Sequence, residues 1–237
     1  MQFAVITDIH ANIYALKATL EDIKKKGIDK VYCLGDLVGY APFPNEVIDL
    51  IKEEKIVTIQ GNYDESVGEE LFACGCDYKD EKTMAMGTKS LYWSQENTTA
   101  ENKTWLKNLP KQLELEIEGK KIVLVHGSTR RNNEYLYENS EELKEIAKTA
   151  DFNVLICGHT HKPFHEVVEG VHFINAGSVG KPKHGNPQAT YVIVEINQED
   201  IKTQNVEVIY DYERAAKAVE ESELPNEFAE KLRKGIS

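Results

Sequence analysis

Apolar and polar residues alternate in blocks through the first sixty positions of the 237-residue chain. Short, mostly apolar runs at 2–7, 30–35 and 56–61 have the length and composition of buried strands. Between them, segments 12–27 and 44–54 carry apolar residues three or four positions apart, which predicts helices with one buried face. This strand–helix order predicts parallel strands, right-handed crossovers and helices on the faces of the sheet.

The ends of these helices and the segment that follows them can also be predicted. Asn12 and Asn45 stand where an asparagine side chain caps a first turn, and Gly27 is placed to stop the first helix. Residues 65–110 then break the alternation, because they are polar with short helix-like pieces. We expect them to form a helical cap inserted into a single domain that spans 1–237.

The strand pattern resumes beyond the insertion. Runs at 113–119 and 121–127 are separated by a Gly-Lys turn signal, which predicts an antiparallel hairpin and therefore a mixed sheet. The remaining pattern predicts a helix at 140–150, strands at 153–158, 170–177, 189–196 and 205–210, and an amphipathic helical tail at 211–237 that is interrupted at Pro225.

Composition narrows the classes of function. The net charge is −12, and no basic run with interleaved aromatic residues reverses it locally, so nucleic acid polymers and anionic membranes are unlikely partners on electrostatic grounds. The first residues start a strand and lack the features of a signal peptide, and no apolar stretch has membrane-spanning length. The four cysteines show no metal-knuckle spacing, and the expected location is the cytoplasm.

Metal-binding residue types follow the predicted strands. In α/β proteins the carboxyl ends of strands meet at the edge where ligands bind. One such residue alone is more simply explained by turn chemistry, but five strand ends together favour a metal site. The set suits two ions about 3.5–4 Å apart that share a carboxylate, and imidazole with carboxylate favours Mn, Fe, Zn or Ni. These residues are Asp8, His10, Asp36, Asn62, His126, His159 and His161, with Asp36 as the natural bridge.

The same residues lie in motifs that resemble a known family. "DIH" at 8–10, "GD" at 35–36, "GNYD" at 61–64, "HG" at 126–127 and "GHTH" at 158–161 resemble the calcineurin-like metallophosphoesterases, and more narrowly the branch of small YfcE-type phosphodiesterases. The resemblance implies an α/β fold, an αββα sandwich of two mixed sheets flanked by helices, with a dinuclear centre. By motif, one ion would be held by Asp8, His10, Asp36 and His161, and the other by Asp36, Asn62, His126 and His159.

Three positions depart from the family pattern. Tyr63 stands where many relatives have a histidine that is credited with protonating the leaving group. An ordinary tyrosine has a pKa of about 10, so it matches neutral pH poorly as a proton donor, and we expect a preference for good leaving groups. Ala11 replaces a frequent glycine and Ala176 a frequent proline, and we expect only local effects from both.

Further residues are candidates for substrate contact. His184 can replace the missing acid or be a solvated loop residue, and Arg130 and Arg131 can clamp a phosphate or lie in a solvated turn. The aromatic side chains of the insertion can stack a base or form its own small core. The substrate-contact set is Asn12, Tyr63, Arg130, Arg131 and His184, and the residues assigned to catalysis are Asp36, Asn62 and His126.

The resemblance and the ligand set together predict a phosphoesterase with two divalent transition-metal ions, with manganese favoured. The expected reaction is attack by a metal-bridging hydroxide on a small phosphate ester or nucleotide, most plausibly a diester. The alternatives are a phosphomonoesterase, including a protein phosphatase, and a non-catalytic scaffold like the retromer subunit that shares this fold. A nuclease is disfavoured by the acidic charge. Assembly into a homo-oligomer is left open.

Overall fold

The structure is a computed structural model, and it describes residues 1–78 and 80–237. These residues form ten strands and eight helices. The strands are β1 (Gln2–Ile6), β2 (Val31–Cys33), β3 (Val57–Thr58), β4 (Gln112–Ile117), β5 (Lys120–Val125), β6 (Val154–Cys157), β7 (Phe164–Val168), β8 (Val171–Asn175), β9 (Ala189–Ile196) and β10 (Ile201–Val208). The helices are α1 (Ile13–Lys25), α2 (Pro44–Glu53), α3 (Asn62–Gly68), α4 (Glu81–Asn97), α5 (Ala100–Lys107), α6 (Glu141–Thr149), α7 (Tyr212–Glu220) and α8 (Glu227–Lys234).

The strands form two five-stranded mixed sheets. The first has the order β10-β9-β1-β2-β3, in which β1, β2 and β3 are parallel and β9 runs antiparallel to β1. The second has the order β4-β5-β6-β8-β7, in which β5, β6 and β8 are parallel. The predicted hairpin is confirmed, because Leu113 of β4 lies opposite Leu124 of β5 in an antiparallel pair.

Successive side chains of a strand point to opposite faces of its sheet, and this alternation explains the layers of the fold. In β1, Phe3 and Val5 point into a core that also contains Ile122 and Leu124 of the second sheet. The neighbouring side chains of β1, such as Ile6, belong instead to the core beneath the helices. Each fully buried aliphatic side chain contributes about 1.5–3 kcal/mol. A separate core joins α6 to the other face of the second sheet. The αββα sandwich is therefore confirmed.

Several predicted element boundaries were wrong. Strand β3 has only two residues, because the chain beyond Thr58 turns toward Pro110, whose carbonyl accepts a hydrogen bond from Gln60 N at 2.7 Å. Strand β10 begins at Ile201, four positions before the predicted start. The cap of α2 is Phe43, since Pro44 takes the first helical position, where its missing N–H costs nothing. Asn45 instead accepts from Thr99 N at 3.0 Å.

The first helix of the predicted insertion begins earlier than expected. Helix α3 begins at Asn62, with Gly61 as its N-cap, whereas the insertion was predicted to begin at residue 65. The Asp64 carboxylate accepts from Gly61 N at 2.9 Å, which satisfies a donor at the helix start. Trp93 of α4 and Trp105 of α5 are partly buried and pack against the core beneath the helices. Across residues 1–78 and 80–237, no helix combines the length and apolar character needed to cross a membrane.

Candidate metal centre

Loops from both sheets converge at one end of the sandwich. Asp8 and His10 follow β1, Asp36 follows β2, and His159 and His161 follow β6. Two groups have mutually close ligand atoms, within 4.8 Å of one another: Asp8 with His10 and His161, and Asp36 with His126 and His159. We call the buried set of all seven predicted ligands the floor of the site: Asp8, His10, Asp36, Asn62, His126, His159 and His161.

Backbone carbonyl groups orient three of the four imidazoles. A carbonyl oxygen can only accept, so the ring nitrogen Nδ1 that faces it must donate its hydrogen. In the neutral ring this leaves Nε2 as the lone-pair nitrogen directed at the centre, the arrangement typical of metal-ligating histidines. The pairs are His10 with Val38 O at 3.0 Å, His126 with Leu34 O at 2.8 Å, and His161 with Lys181 O.

In the first group, lone pairs face each other across the site. The Nε2 atoms of His10 and His161 are 3.3 Å apart, although both rings already donate through Nδ1. Asp8 Oδ1 is buried and has no hydrogen-bond partner among the described residues. Such a set of unpaired acceptors is costly without a positive charge between them. A divalent cation fits these three side chains.

The second group shows the same convergence. Asn62 donates through Nδ2 to Cys74 O at 2.9 Å, so its Oδ1 is the atom that faces His126 Nε2 at 3.0 Å. His159 Nδ1 lies 3.2 Å from the same His126 nitrogen. Asp36 stands between the groups, since its Oδ2 is 3.7 Å from His10 Nε2 and 3.4 Å from His126 Nε2. The arrangement can accept two ions that share Asp36.

The backbone of the floor is strained. Asp8, His10, Asp36, His159 and His161 all have left-handed conformations, with φ between 49° and 64°. Each costs about 1–2 kcal/mol in a residue with a side chain, and such strain is typical of functional sites. Ala11, with φ of 54°, shares this conformation, which explains why a glycine suits that position.

Close packing of the loops holds this conformation in place. A Cβ on Gly61 would lie 2.2 Å from Asp36 Oδ1, and one on Gly158 would lie 2.6 Å from Asp8 Oδ2. Both glycines therefore allow a neighbouring loop to reach the floor carboxylates. Asp64 adds two hydrogen bonds, since its carboxylate accepts from Asp36 N at 2.7 Å and from Leu37 N at 2.8 Å.

Burial and neighbouring charges set the protonation of the histidines before any metal binds. Burial and, to a lesser degree, the positive charge of His126 together lower the pKa of His159 to about 3. Burial likewise holds the pKa of His161 well below its ordinary value, so both rings are neutral and able to ligate. Burial also acts to lower the pKa of His126, but the Asp36 carboxylate outweighs it and raises this pKa to about 9. Metal must therefore displace a proton from His126.

The floor opens into a cleft of about 330 Å³. We call the phenol and ammonium side chains around the cleft the wall: Tyr40, Tyr78, Tyr135, Lys162, Lys181 and Lys183. Tyr63 also lines the cleft, and its backbone N donates to Asp36 Oδ1 at 2.8 Å. Its hydroxyl lies 3.3 Å from the Tyr78 hydroxyl. Burial raises the pKa of Tyr63 well above its usual value.

Four residues of the predicted substrate-contact set do not line this cleft. Arg130 binds Glu134 at 2.7 Å and Glu145 at 2.7 Å, and the more exposed Arg131 also faces Glu134. His184 pairs with Glu207 at 3.5 Å. The charges of both arginines are thus compensated within the protein, and the three side chains lie outside the cleft lining. Asn12 accepts from Ala15 N at 3.1 Å as the N-cap of α1 and donates to Gly180 O at 3.0 Å, so its side-chain amide is bonded within the protein.

Sequence reasoning missed two supporting residues and the lysines of the wall. Asn175 donates to Gly158 O at 2.6 Å, and Ser178 donates to Asp8 O at 2.8 Å. Both lie in "NAGSVG" at 175–180, a segment of which only Ala176 was considered from the sequence. Lys181 and Lys183 carried no signal, because their loop has no periodic pattern. His165 and His172 are half-buried, and His165 Nε2 lies 2.9 Å from His172 Nδ1.

Two mixed sheets with paired histidine–carboxylate clusters at one end define a metal-dependent hydrolase. The sequence matches the profile of the calcineurin-like phosphoesterase superfamily domain over residues 1–199, and the chain belongs to this family. It is 33% identical to the uncharacterized protein MJ0912 of Methanocaldococcus jannaschii, over 97% of this chain and 96% of that protein.

Two further relatives carry names that describe an activity. A metallophosphoesterase from Sphaerobacter thermophilus has a TM-score of 0.80 at 27% identity, covering 100% of this chain and 99% of that one. Phosphodiesterase YfcE of Escherichia coli is 23% identical over 79% of this chain and 84% of that protein. The chain is accordingly a metal-dependent hydrolase of phosphoester bonds, in a family that uses divalent metals.

Proposed function

We propose that this protein is a phosphodiesterase that acts on a small phosphate ester or nucleotide and uses two divalent transition-metal ions, with manganese favoured. The observation that carries the proposal is the pair of ligand groups on either side of Asp36. One ion would be held by Asp8, His10, Asp36 and His161. The other would be held by Asp36 with Asn62, His126 and His159.

The residues of the chain have separate tasks in this proposal. Two bound ions supply an activated water and neutralise the charge that develops on the phosphoryl oxygens. Asp36, Asn62 and His126 would hold the ions from a buried position. The carbonyl-bound imidazoles keep their rings fixed, which limits the reorganisation needed during the reaction.

The shape of the cleft supports a small substrate. We propose that residues 65–110 act as a cap on a single domain, because Cys76, Tyr78, Thr83 and Met86 of this segment line the cleft. A cleft of about 330 Å³ is at the small end of the range for ligand sites. The raised pKa of Tyr63 keeps its phenol protonated and makes it a weak acid, so good leaving groups should react best.

Hydrolysis of two chromogenic esters tests the proposal. The protein is stripped of metal, refilled with Mn²⁺, and assayed on bis-p-nitrophenyl phosphate and p-nitrophenyl phosphate. We expect metal-dependent cleavage, faster for the diester, that disappears in Asp36→Asn and persists in the control Asp29→Asn, whose carboxylate is exposed. Absence of turnover with two tightly bound ions would contradict the proposal.

A further inference from the structure

Three lysines of the wall stand beside the metal centre without anionic partners. Lys162, Lys181 and Lys183 line the same cleft as His10, Asp36 and His161. Among the described residues, none of the ion pairs involves these three side chains. Most lysines in and beside helices α4, α5 and α6, by contrast, lie away from the cleft and pair with glutamate or aspartate. Lys181 and Lys183 are also partly buried. A cation withdrawn from water without a counter-charge is costly, so the arrangement suits an anionic ligand.

Aromatic side chains position two of these ammonium groups. Lys181 Nζ lies 4.3 Å from the centroid of the Tyr40 ring, and Lys162 Nζ lies 5.8 Å from that of Tyr137. Contacts of this kind favour a cation over a ring face but leave its hydrogen-bond donors available. The ammonium groups are therefore held at the cleft while still able to bind an oxygen anion.

The loop that carries the lysines is fixed to the floor by its backbone. Gly180 N donates to Asp8 O at 3.0 Å, and Lys181 N donates to Ser178 Oγ at 2.9 Å. The carbonyl of Lys181 accepts from the His161 ring. The same segment supports His161, a proposed metal ligand, and carries Lys181 and Lys183. The backbone of the two lysines is therefore held at a fixed position relative to the metal centre.

The charge at the site exceeds what one phosphodiester needs. Two divalent ions bound to Asp8, Asp36 and neutral imidazole and amide groups would leave an excess of positive charge, which a singly charged diester would nearly compensate. The three lysines then remain. Lys231 also lines the cleft, together with Asp77 and Asp80, so the four lysines of its lining outnumber the two side-chain carboxylates that lie outside the metal centre.

We propose that Lys162, Lys181 and Lys183 form a second anion site, and that the substrate carries a phosphate group in addition to the one at the metal centre. This inference rests on the proposed phosphodiesterase function, because it names the substrate class of the same cleft. Tyr135 and Tyr137 both line the cleft with their rings stacked 6.0 Å apart at 10°, and Tyr137 lies beside Lys162, so a base can stack on this pair in a nucleoside that links the two phosphates.

A matched pair of substrates tests the second site. Thymidine 5′-(p-nitrophenyl phosphate) and its 3′-phosphate derivative share the scissile diester and the leaving group, and they differ only in the additional phosphate. We expect kcat/KM to be at least about tenfold higher for the 3′-phosphorylated compound in the Mn²⁺-loaded protein, and this advantage to fall to within about twofold in Lys183→Gln. Lys183→Arg should retain most of it.

The control and the outcomes separate the two proposals. Lys144→Gln removes an exposed lysine that pairs with Glu141, and it should leave both kcat/KM values unchanged. Equal kcat/KM values for the two compounds in the wild-type protein, or an advantage that survives in Lys183→Gln, would overturn the second anion site while leaving the phosphodiesterase proposal intact. Failure to cleave either compound or bis-p-nitrophenyl phosphate would instead contradict the phosphodiesterase proposal itself.

Discussion

The floor and the wall of the cleft are built on different physical principles. Floor side chains such as His10 and His126 are buried, and backbone carbonyls fix their tautomers. Wall side chains such as Lys181 and Tyr135 are only partly buried, and they are positioned mainly by ring contacts. A metal centre needs ligands held within a few tenths of an ångström, whereas recognition of a substrate group tolerates adjustment. We infer that the floor carries the chemistry and the wall selects the substrate.

The largest effect is expected at the residue shared by both ligand groups. Asp36→Asn removes the negative charge between the ions, so turnover should fall by about a thousandfold or more and fewer than two ions should stay bound. Steady-state kinetics with metal analysis of the same samples measures both quantities. A variant that keeps two ions and more than a tenth of its activity would show that Asp36 is not the bridge.

Protonation of the floor gives the next largest effect. In the metal-free protein, the pKa of His126 near 9 means that the ring carries a proton at pH 7 and 8. Metal must displace this proton, so the affinity for Mn²⁺ should rise about tenfold per pH unit below 9 and level off above it. Calorimetry in buffers of different ionisation enthalpy counts the proton released. An affinity that does not change between pH 7 and 8 would contradict this protonation state.

Tyr63 lies between the floor and the wall of the cleft. Its replacement tests whether protonation of the leaving group limits the reaction. Tyr63→His introduces a group that protonates a leaving alcohol at neutral pH, so it should raise turnover of an alkyl diester such as glycerophosphocholine by about ten- to a hundredfold relative to the p-nitrophenyl diester. Tyr63→Phe is the matched control and should leave that ratio unchanged. If Tyr63→His also leaves the ratio unchanged, leaving-group protonation does not limit the reaction.

The smallest effect is expected where only backbone strain changes. Ala11→Gly relieves a left-handed residue with φ of 54° but gives the unfolded chain more freedom, and these two effects nearly cancel. The free energy of unfolding should change by less than about 1 kcal/mol, and turnover should stay within about twofold. Denaturant unfolding and the diester assay measure these values. A tenfold loss of turnover would show that the geometry of the floor depends on Ala11.

The positions of the predicted ligands could be read from the sequence because strand ends have a fixed topology. Once β1, β2, β5 and β6 are identified as buried strands, the residues after them must lie at the same end of the sandwich. This topology predicts that Asp36 and His159 lie close together, although they are far apart in the chain. The same reasoning explains the confirmed two-sheet fold.

The wall could not be predicted, because it depends on loop packing that no periodic pattern encodes. Lys183 and Tyr78 line the same cleft only because two segments that are distant in the sequence come together beside the floor. His184 and Arg130 looked equally suitable, but the sequence does not reveal that Glu207 and Glu134 compensate them. Asn45 does not cap α2, because Pro44 occupies the first helical position and the residue before it, Phe43, is the N-cap.

Titration of the metal-free protein with Mn²⁺ tests the central claim, that the floor is one catalytic centre built for two ions. Bound metal and hydrolysis of bis-p-nitrophenyl phosphate are followed in the same samples. We predict that turnover appears as the second ion binds and reaches its maximum at two ions per chain. Full turnover at one ion per chain, or no turnover when two are bound, would contradict the account.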